Sequence, residues 1–142
     1  MTVDTAIKLQ LAGYILFMLT PFVSLYIKGV SRKHHSVLLK YLASIFAMYA
    51  LVSVPLANLN YQLDVVVQSL DRDGNGFFSP EEEEAWTAEE ARAYGIYLGD
   101  GGRNVFGYLV SPIFASAYTA AIFLMFYGSC WLVGKIKNRA GA

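Results

Sequence analysis

The chain has 142 residues, of which 56% are hydrophobic and only 15% charged, and its mean hydropathy is +0.41. These values argue against a soluble enzyme, because a soluble domain of this length needs less apolar material for its core. The 11 basic and 11 acidic side chains cancel, which excludes nucleic-acid binding through a general excess of positive charge. The single cysteine, Cys130, excludes an internal disulfide and a multi-cysteine zinc site.

Three long stretches carry no charged residue. They are 19, 23 and 31 residues long, and a helix needs about 20 residues to cross the hydrocarbon core of a bilayer. A soluble chain of this length has too little polar sequence to bury three such helices. We therefore predict an all-α integral membrane protein that forms one membrane domain, residues 1–142, with three transmembrane helices near residues 9–27, 37–57 and 108–133.

Prolines and charges set the expected ends of these spans. Pro112 predicts a kink or a late helix start in the third span, and Pro55 with two following asparagines marks the end of the second.

Asp4 and a single Lys8 stand where a signal peptide has its basic segment, and no small-residue cleavage site follows. We expect the first span to be retained.

The charges separate along the chain. Basic residues lie between the first two spans and after the third: Lys28, Arg32, Lys33, Lys40, Lys135, Lys137 and Arg139. The segment between the second and third spans, residues 58–104, holds ten acidic and three basic side chains. We call this segment the insertion. Since basic excess marks the cytoplasmic side, we predict a protein of the plasma or inner membrane. Its amino terminus and insertion lie outside, and its 28–40 loop and carboxyl terminus are cytoplasmic.

The insertion contains a 12-residue pattern. Residues 71–82 read Asp-Arg-Asp-Gly-Asn-Gly-Phe-Phe-Ser-Pro-Glu-Glu, which fits D-x-[DN]-x-[DN]-G-x₅-E throughout. On these residues the chain resembles the EF-hand calcium-binding family, over the 12 positions and the helices on either side. The resemblance implies an extramembrane helical EF-hand insertion between spans 2 and 3, with Ca²⁺ as the cofactor. The alternative is an acidic turn before a capped helix.

The resemblance assigns six residues to the cation, which takes about six to eight oxygen ligands. They are Asp71, Asp73 and Asn75 with one side-chain oxygen each, Phe77 with its carbonyl, Ser79 through a water, and Glu82 with both carboxylate oxygens. A bidentate glutamate favours calcium over magnesium. Gly76 allows the sharp bend that needs a positive φ.

The sequence on both sides of the loop predicts helices. Apolar residues at three- and four-residue steps indicate an amphipathic entering helix over residues 59–70. The Ser-Pro-x-Glu sequence from Ser79 supplies an N-cap, a first-turn proline and a capping-box glutamate for the exiting helix. Thr87 and Glu90 repeat the capping-box pattern, which predicts a second short helix that ends at Gly95.

Two aromatic residues of the loop lack an obvious partner. EF-hands usually come in pairs joined at position 8, and here that position is Phe78, with no second loop in the sequence. Phe77 and Phe78 would meet the same loop of a second copy, a helix of the insertion, or a different subunit.

Other polar residues give weaker predictions. His34 and His35 are expected as interfacial polar residues rather than metal ligands, because adjacent side chains point in different directions. Lys40 is expected to extend from the second span to the headgroups. The sequence contains no nucleophile motif, paired catalytic carboxylates or phosphate-binding glycine loop. We therefore predict no catalytic residue, no organic cofactor and no enzymatic activity.

Small residues favour close helix packing and assembly. Ser111, Ala115 and Thr119 repeat every four residues on one helix face, a spacing on which membrane helices approach closely. The expected partners are the lipid bilayer and either further copies of the chain or other membrane subunits, with no nucleic acid.

Two functions remain open from the sequence. The first is a calcium-binding small membrane subunit whose non-cytoplasmic EF-hand stabilises or regulates the assembly of a membrane complex. The second is a homo-oligomeric calcium-regulated channel or transporter. Its candidate pore-lining residues are Ser24, Ser44, Ser53 and Thr119.

Overall fold

The computed structural model describes residues 2–27 and 35–140, and all regular secondary structure in these ranges is helical. This confirms the predicted all-α class for the described part of the chain. Three helical stretches are long and apolar enough to cross a membrane: Val3–Tyr26, Val37–Leu70 and Gly102–Arg139. Lys28, Arg32, Lys33 and His34 lie outside the described residues, as does the side chain of His35.

Three long helices carry a group of short ones. In chain order the elements are α1 (Val3–Tyr26), α2 (His35–Leu70), α3 (Pro80–Glu84), α4 (Ala88–Leu98), α5 (Asp100–Asn104), a π-helical turn (Val105–Val110) and α6 (Ser111–Ala140). The long helices α1, α2 and α6 form a bundle. The short helices α3, α4 and α5 all belong to the insertion.

The helix α2 runs antiparallel to α6. Near the insertion, Leu56 of α2 packs against the backbone of Gly107 in the π turn. Toward the start of α2, the Tyr41 hydroxyl donates a hydrogen bond to the carbonyl oxygen of Ser116 at 3.2 Å. The carboxyl-terminal end of α6, with its three basic residues, therefore lies at the opposite end of the bundle from the insertion.

The small-residue stripe of α6 packs inside the bundle. Ala115 and Thr119 are fully buried and Ser111 is 9% exposed. Thr119 Oγ1 lies 3.2 Å from the sulfur of Met48 in α2. The predicted close helix approach at this stripe is confirmed, but it takes place within one chain, so these residues do not form an outer face for a second copy.

A glycine and a proline fix the closest approach of α1 to α2. Pro55 has no N–H, so it leaves the carbonyl oxygen of Leu51, four residues earlier, without its helical donor. The backbone of Gly13 in α1 approaches that same oxygen, and a Cβ at Gly13 would collide with it. The helix α2 continues through Pro55 to Leu70, so the predicted entering helix over residues 59–70 is the last part of α2.

The third long helix does not start late at Pro112. Helical backbone runs from α5 through the π turn into α6. The N–H of Ser111 donates to the carbonyl oxygen of Phe106, five residues earlier, which is the π-helical pattern. Pro112 follows directly, where its missing N–H disturbs regular α-helix pairing. The irregularity expected at Pro112 is thus a π turn within one continuous helix.

The short helix α4 begins where predicted and ends later. Thr87 and Glu90 form the expected capping box. Gly95 lies inside the helix, which ends at Leu98 with Gly99 as its C-cap, so the predicted end at Gly95 is wrong. A Cβ at Gly95 would meet no neighbouring atom within 4 Å, and a glycine inside a helix costs only about 1 kcal/mol relative to alanine.

Most of the apolar surface of the long helices is not covered by the chain itself. In the most apolar 18-residue windows of the three candidate spans, 28%, 17% and 22% of residues are buried, in chain order. Every described side chain of α6 from residue 124 to residue 139 is exposed. Such a surface is larger than soluble monomers expose, so lipid or another protein is expected to cover it.

The contact at Gly13 gives a first testable prediction. Gly13→Ala places a methyl group against the Leu51 carbonyl, so we expect the free energy of unfolding to fall by about 1–3 kcal/mol. Gly128→Ala, also in a helix but in open space, is the control and should change it by at most about 1 kcal/mol. Thermal unfolding of the detergent-solubilised protein measures both. Equal melting temperatures for the two variants would contradict the packing described here.

Candidate metal centre

A capping box begins the helix after the loop. Ser79 Oγ accepts a hydrogen bond from the Glu82 N–H at 3.3 Å, and Glu82 Oε2 accepts one from the Ser79 N–H at 2.9 Å. Pro80 occupies the first turn, where its missing N–H costs no helical bond. The predicted start of the exiting helix is confirmed. This helix is only five residues long and reaches its C-cap at Ala85.

The loop folds around the side chain of Asp71. Its carboxylate accepts hydrogen bonds from the backbone N–H groups of Gly74, Asn75 and Gly76 at 2.8, 3.1 and 2.8 Å. Gly74 and Gly76 have φ values of 73° and 82°, which a side chain would oppose. The sequence predicted a positive φ at Gly76 only. The second glycine was visible in the sequence, but the resemblance assigned it no role.

Glu82 joins the start and the end of the loop. Its Oε1 accepts hydrogen bonds from the backbone N–H groups of Arg72 at 2.8 Å and Asp73 at 3.4 Å. Its Oε2 is bonded to Ser79, as described above. With the residue only 9% exposed, the carboxylate closes the loop from inside. A buried charge of this kind is stabilised by charge-assisted hydrogen bonds.

Three carboxylates converge in this loop. Asp71, Asp73 and Glu82 each offer an oxygen, and these three oxygens lie within 4.8 Å of one another. Carboxylates this close repel each other, and a cation between them would offset the repulsion. The ligands are all hard oxygens, which suit Ca²⁺, Mg²⁺ or Mn²⁺ better than metals that prefer sulfur or imidazole. The cluster therefore could bind a metal ion.

The other three predicted ligands have local partners in the loop. Asn75 Nδ2 donates to Asp73 Oδ2 at 2.6 Å, and Asn75 Oδ1 accepts from the Phe77 N–H at 2.7 Å. The side chain of Phe77 is 79% exposed and has no oxygen, so only the backbone carbonyl of this residue could bind a cation. Ser79 acts as the N-cap. The ligand roles of Asn75, Phe77 and Ser79 stay predictions.

Backbone hydrogen bonds keep two of the clustered carboxyls ionised. The pKa of Asp71 is lowered chiefly by the hydrogen bond from the Gly76 N–H. The pKa of Glu82 is lowered first by the N–H of Ser79 and then by that of Arg72. At neutral pH both groups are therefore acceptor-only carboxylates, the form that a cation requires.

An aromatic cluster of Phe78, Trp86 and Tyr94 connects the loop to α4. The three rings pack edge to face, with centroids 5.1 to 5.3 Å apart, a favourable geometry for aromatic pairs. Phe78 thus contacts α4, a helix of the insertion, which is one of the three partners predicted for it. The sequence carried no clear signal for this cluster, because its members lie in three separate local elements.

The helix α4 is docked on the end of the bundle. Ala93 is 3% exposed and packs with Leu59 and Leu63 of α2 and Ala6 of α1. An exposed ion pair between Arg92 and Asp4 at 3.2 Å lies beside this contact, and pairs of that kind add little stability. The acidic loop is thus tied to the amino-terminal end of α1 through apolar packing.

Arg72 also fastens the loop to the helix that follows it. Its guanidinium donates to the carbonyl oxygen of Ala85, the C-cap of α3, at 3.1 Å. Cationic side chains favour such helix ends because the terminal carbonyls carry partial negative charge. This contact was not predicted, since Arg72 fills an unconstrained position of the 12-residue pattern.

Comparison with known proteins assigns the chain to no family. No protein-family model, curated protein or solved structure matches it. The resemblance of residues 71–82 to the EF-hand family therefore rests on those residues alone.

The capping box of α4 predicts a pH dependence. Hydrogen bonds from Thr87, first from its backbone N–H, lower the pKa of Glu90 below its ordinary value of 4.5. Because the folded pKa is the lower one, this carboxylate stabilises the fold above pH 4.5, and the stabilisation is lost as the pH falls through the folded pKa. We expect Glu90→Gln to be less stable at neutral pH, with the deficit shrinking in acid.

Fluorescence of Trp86, which contacts α4, measures unfolding of this region between pH 3 and pH 7, a window of about four units around the ordinary pKa. All chains compared carry Trp131→Phe, because Trp131 is the other tryptophan of the sequence. Glu89→Gln removes a neighbouring charge outside the capping box and is the control. A deficit in Glu90→Gln that stays constant over the whole range, or an equal deficit in Glu89→Gln, would contradict the prediction.

Proposed function

We propose that the chain is a small membrane subunit that binds Ca²⁺ in an EF-hand loop, residues 71–82. The bound ion would stabilise the insertion and thereby its contact with partner subunits of a membrane complex. The observation that supports this most strongly is the convergence of the carboxylate oxygens of Asp71, Asp73 and Glu82 within 4.8 Å.

The hydrogen bonds of the loop are compatible with cation binding. An ionised carboxylate has about four acceptor positions, and the three bonds to Asp71 leave room for a metal. The three backbone donors to Glu82 come from both ends of the loop and leave one acceptor position, on Oε2. Bidentate binding by Glu82 would therefore replace a hydrogen bond to Oε1. In this proposal Asn75, the carbonyl of Phe77 and a water on Ser79 complete the oxygen shell.

Calcium is preferred to magnesium on the shape of this shell. A loop that contributes ligands at six positions, with a bidentate Glu82, offers more oxygens than the tight octahedron of Mg²⁺ accommodates. Mg²⁺ also retains several waters and usually takes only one or two carboxylates, whereas Asp71, Asp73 and Glu82 supply three.

The arrangement of charges supports an orientation for the proposed subunit. The Asp4–Arg92 ion pair joins the amino terminus to the insertion at one end, and α6 carries Lys135, Lys137 and Arg139 toward the other. With the basic end cytoplasmic, the loop lies outside. Extracellular modules bind calcium with Kd values of about 10⁻⁴–10⁻³ M, and calcium outside the cell is often about millimolar. We therefore expect a structural site that is nearly always filled rather than a sensor.

The insertion offers a route by which a bound ion would stiffen the bundle. The loop continues into Phe78, which packs on Trp86 and Tyr94. Tyr94 adjoins Ala93, the residue through which α4 packs on α1 and α2. Ordering the loop would therefore order the end of the bundle. The exposed apolar helix faces would add to the contacts that the insertion makes with partner subunits.

No specific observation favours the channel alternative. The hydroxyls of its candidate pore-lining residues already have partners. Ser24 donates to the Pro21 carbonyl, Ser53 to the Tyr49 carbonyl, Ser44 lies 2.7 Å from Ser24, and Thr119 is buried against Met48. These residues therefore do not offer a line of unengaged polar groups, and the alternative stays a prediction.

Calcium titration with Glu82→Gln tests the site. The substitution keeps the side-chain size and an acceptor for the Ser79 N–H, but it removes a ligand charge and places an amide NH₂ where Oε1 accepts the Arg72 and Asp73 N–H groups. We therefore expect calcium affinity to fall by about tenfold or more. Glu83→Gln makes the same change on an exposed neighbour and should bind like the unaltered chain. Isothermal titration of the detergent-solubilised full chain measures this, with Mg²⁺ titrated in parallel. Equal affinities in both variants would show that the site is misassigned.

Chelation from one side of the membrane tests assembly and orientation together. A membrane-impermeant chelator added to intact cells should strip an outside site, and the subsequently solubilised complex should have a lower mass or a lower melting temperature. The same chelator inside inside-out vesicles reaches the same face, whereas chelator added outside those vesicles should have no effect. Unchanged mass and melting temperature in intact cells would contradict the proposed role.

A further inference from the structure

A groove between α1 and α2 lies at the end of the bundle opposite the insertion. Its volume is about 370 Å³, within the range of about 300–1,000 Å³ common for small-ligand pockets. Val23 and Ile27 of α1 and Leu39, Ala43 and Ala47 of α2 supply apolar walls. A ligand that enters this groove therefore needs a hydrocarbon part.

The hydroxyls of the groove are engaged with the protein. Ser44 Oγ lies 2.7 Å from Ser24 Oγ and 2.8 Å from the carbonyl oxygen of Lys40. Thr20 Oγ1 donates to the carbonyl oxygen of Leu16 at 2.8 Å. Because these polar groups bond to the chain itself, they leave an apolar lining suited to an acyl chain rather than to a polar ligand.

Lys40 places a positive charge at this apolar groove. Its ammonium donates a hydrogen bond to the carbonyl oxygen of Ile27, the C-cap of α1, at 2.9 Å. An ammonium has three donors, and this bond uses one of them. The bond holds the charge at the helix end, where a lysine of a membrane helix meets the headgroup region.

The sequence adds positive charge at the same end. The connection between α1 and α2 carries Lys28, Arg32 and Lys33 and no acidic residue. Two other grooves between the long helices, of about 440 and 580 Å³, have no charged residue in their described walls. The groove at Lys40 thus combines an apolar slot with a cationic end, which matches an amphiphile with an anionic head.

We propose that this groove binds one anionic phospholipid, with an acyl chain along Val23, Ala43 and Ala47 and its phosphate at the ammonium of Lys40. The site rests on the membrane placement in the proposed function and is independent of calcium binding. Basic side chains near a cytoplasmic leaflet attract anionic lipids, and Lys40 gives that attraction a fixed position.

Native mass spectrometry of the full chain, purified in detergent, tests this site. The probes are phosphatidylglycerol and phosphatidylcholine with identical acyl chains. We expect preferential retention of one phosphatidylglycerol per chain, and about fivefold weaker retention in Lys40→Gln, the order expected for loss of one basic contact. Ala43→Leu fills the groove without a change of charge and should lower retention as well. Lys137→Gln removes an equal charge outside the groove and should behave like the unaltered chain.

Two results would overturn the lipid site alone. One is equal retention of both lipids by a chain that stays in the membrane fraction after alkaline washing. The other is an equal loss in Lys40→Gln and Lys137→Gln, which would indicate attraction to the basic end in general. Release of the chain from membranes by the alkaline wash would instead overturn the membrane placement and this site together. Calcium titration of Lys40→Gln should match the unaltered chain.

Discussion

The chain carries more apolar helix surface than it can bury against itself. At most 28% of the residues in the most apolar part of any candidate span are buried, and the last half of α6 contacts no other part of the described chain closely enough to be covered. Burial of apolar surface is the main favourable term in folding, so we expect an external apolar phase or a partner to cover these helix faces. The proposed membrane placement, the proposed partner contacts and the proposed lipid site all derive from that constraint.

The acidic end of the molecule has the opposite problem, an excess of like charge. Backbone N–H groups of the loop stabilise these negative charges. Three of them donate hydrogen bonds to Asp71 and three to Glu82. These bonds lower the pKa of both carboxyls and fix their oxygens around one point. The same hydrogen bonds that stabilise the charged loop also give it the geometry in which a cation would be held.

Apolar contacts connect the acidic loop to the helix bundle. The aromatic cluster of Phe78, Trp86 and Tyr94 packs the loop against α4. Ala93 packs α4 against the bundle. The exposed Arg92–Asp4 pair contributes charge complementarity but little energy. A cation bound in the loop would therefore act on the bundle through these contacts and through the ends of α2 and α3, beside which Asp71 and Glu82 lie.

The sequence alone determined the helical class, the three candidate spans and both capping boxes, because each depends on residues close together in the chain. It also indicated Asp71, Asp73 and Glu82, whose spacing within one loop brings their carboxylates together. Only the tertiary structure decided which residues of one helix contact which residues of another. Gly13 meets an oxygen that a distant proline left free, and Thr119 meets Met48. Those partners are set by how whole helices cross, which no local pattern encodes.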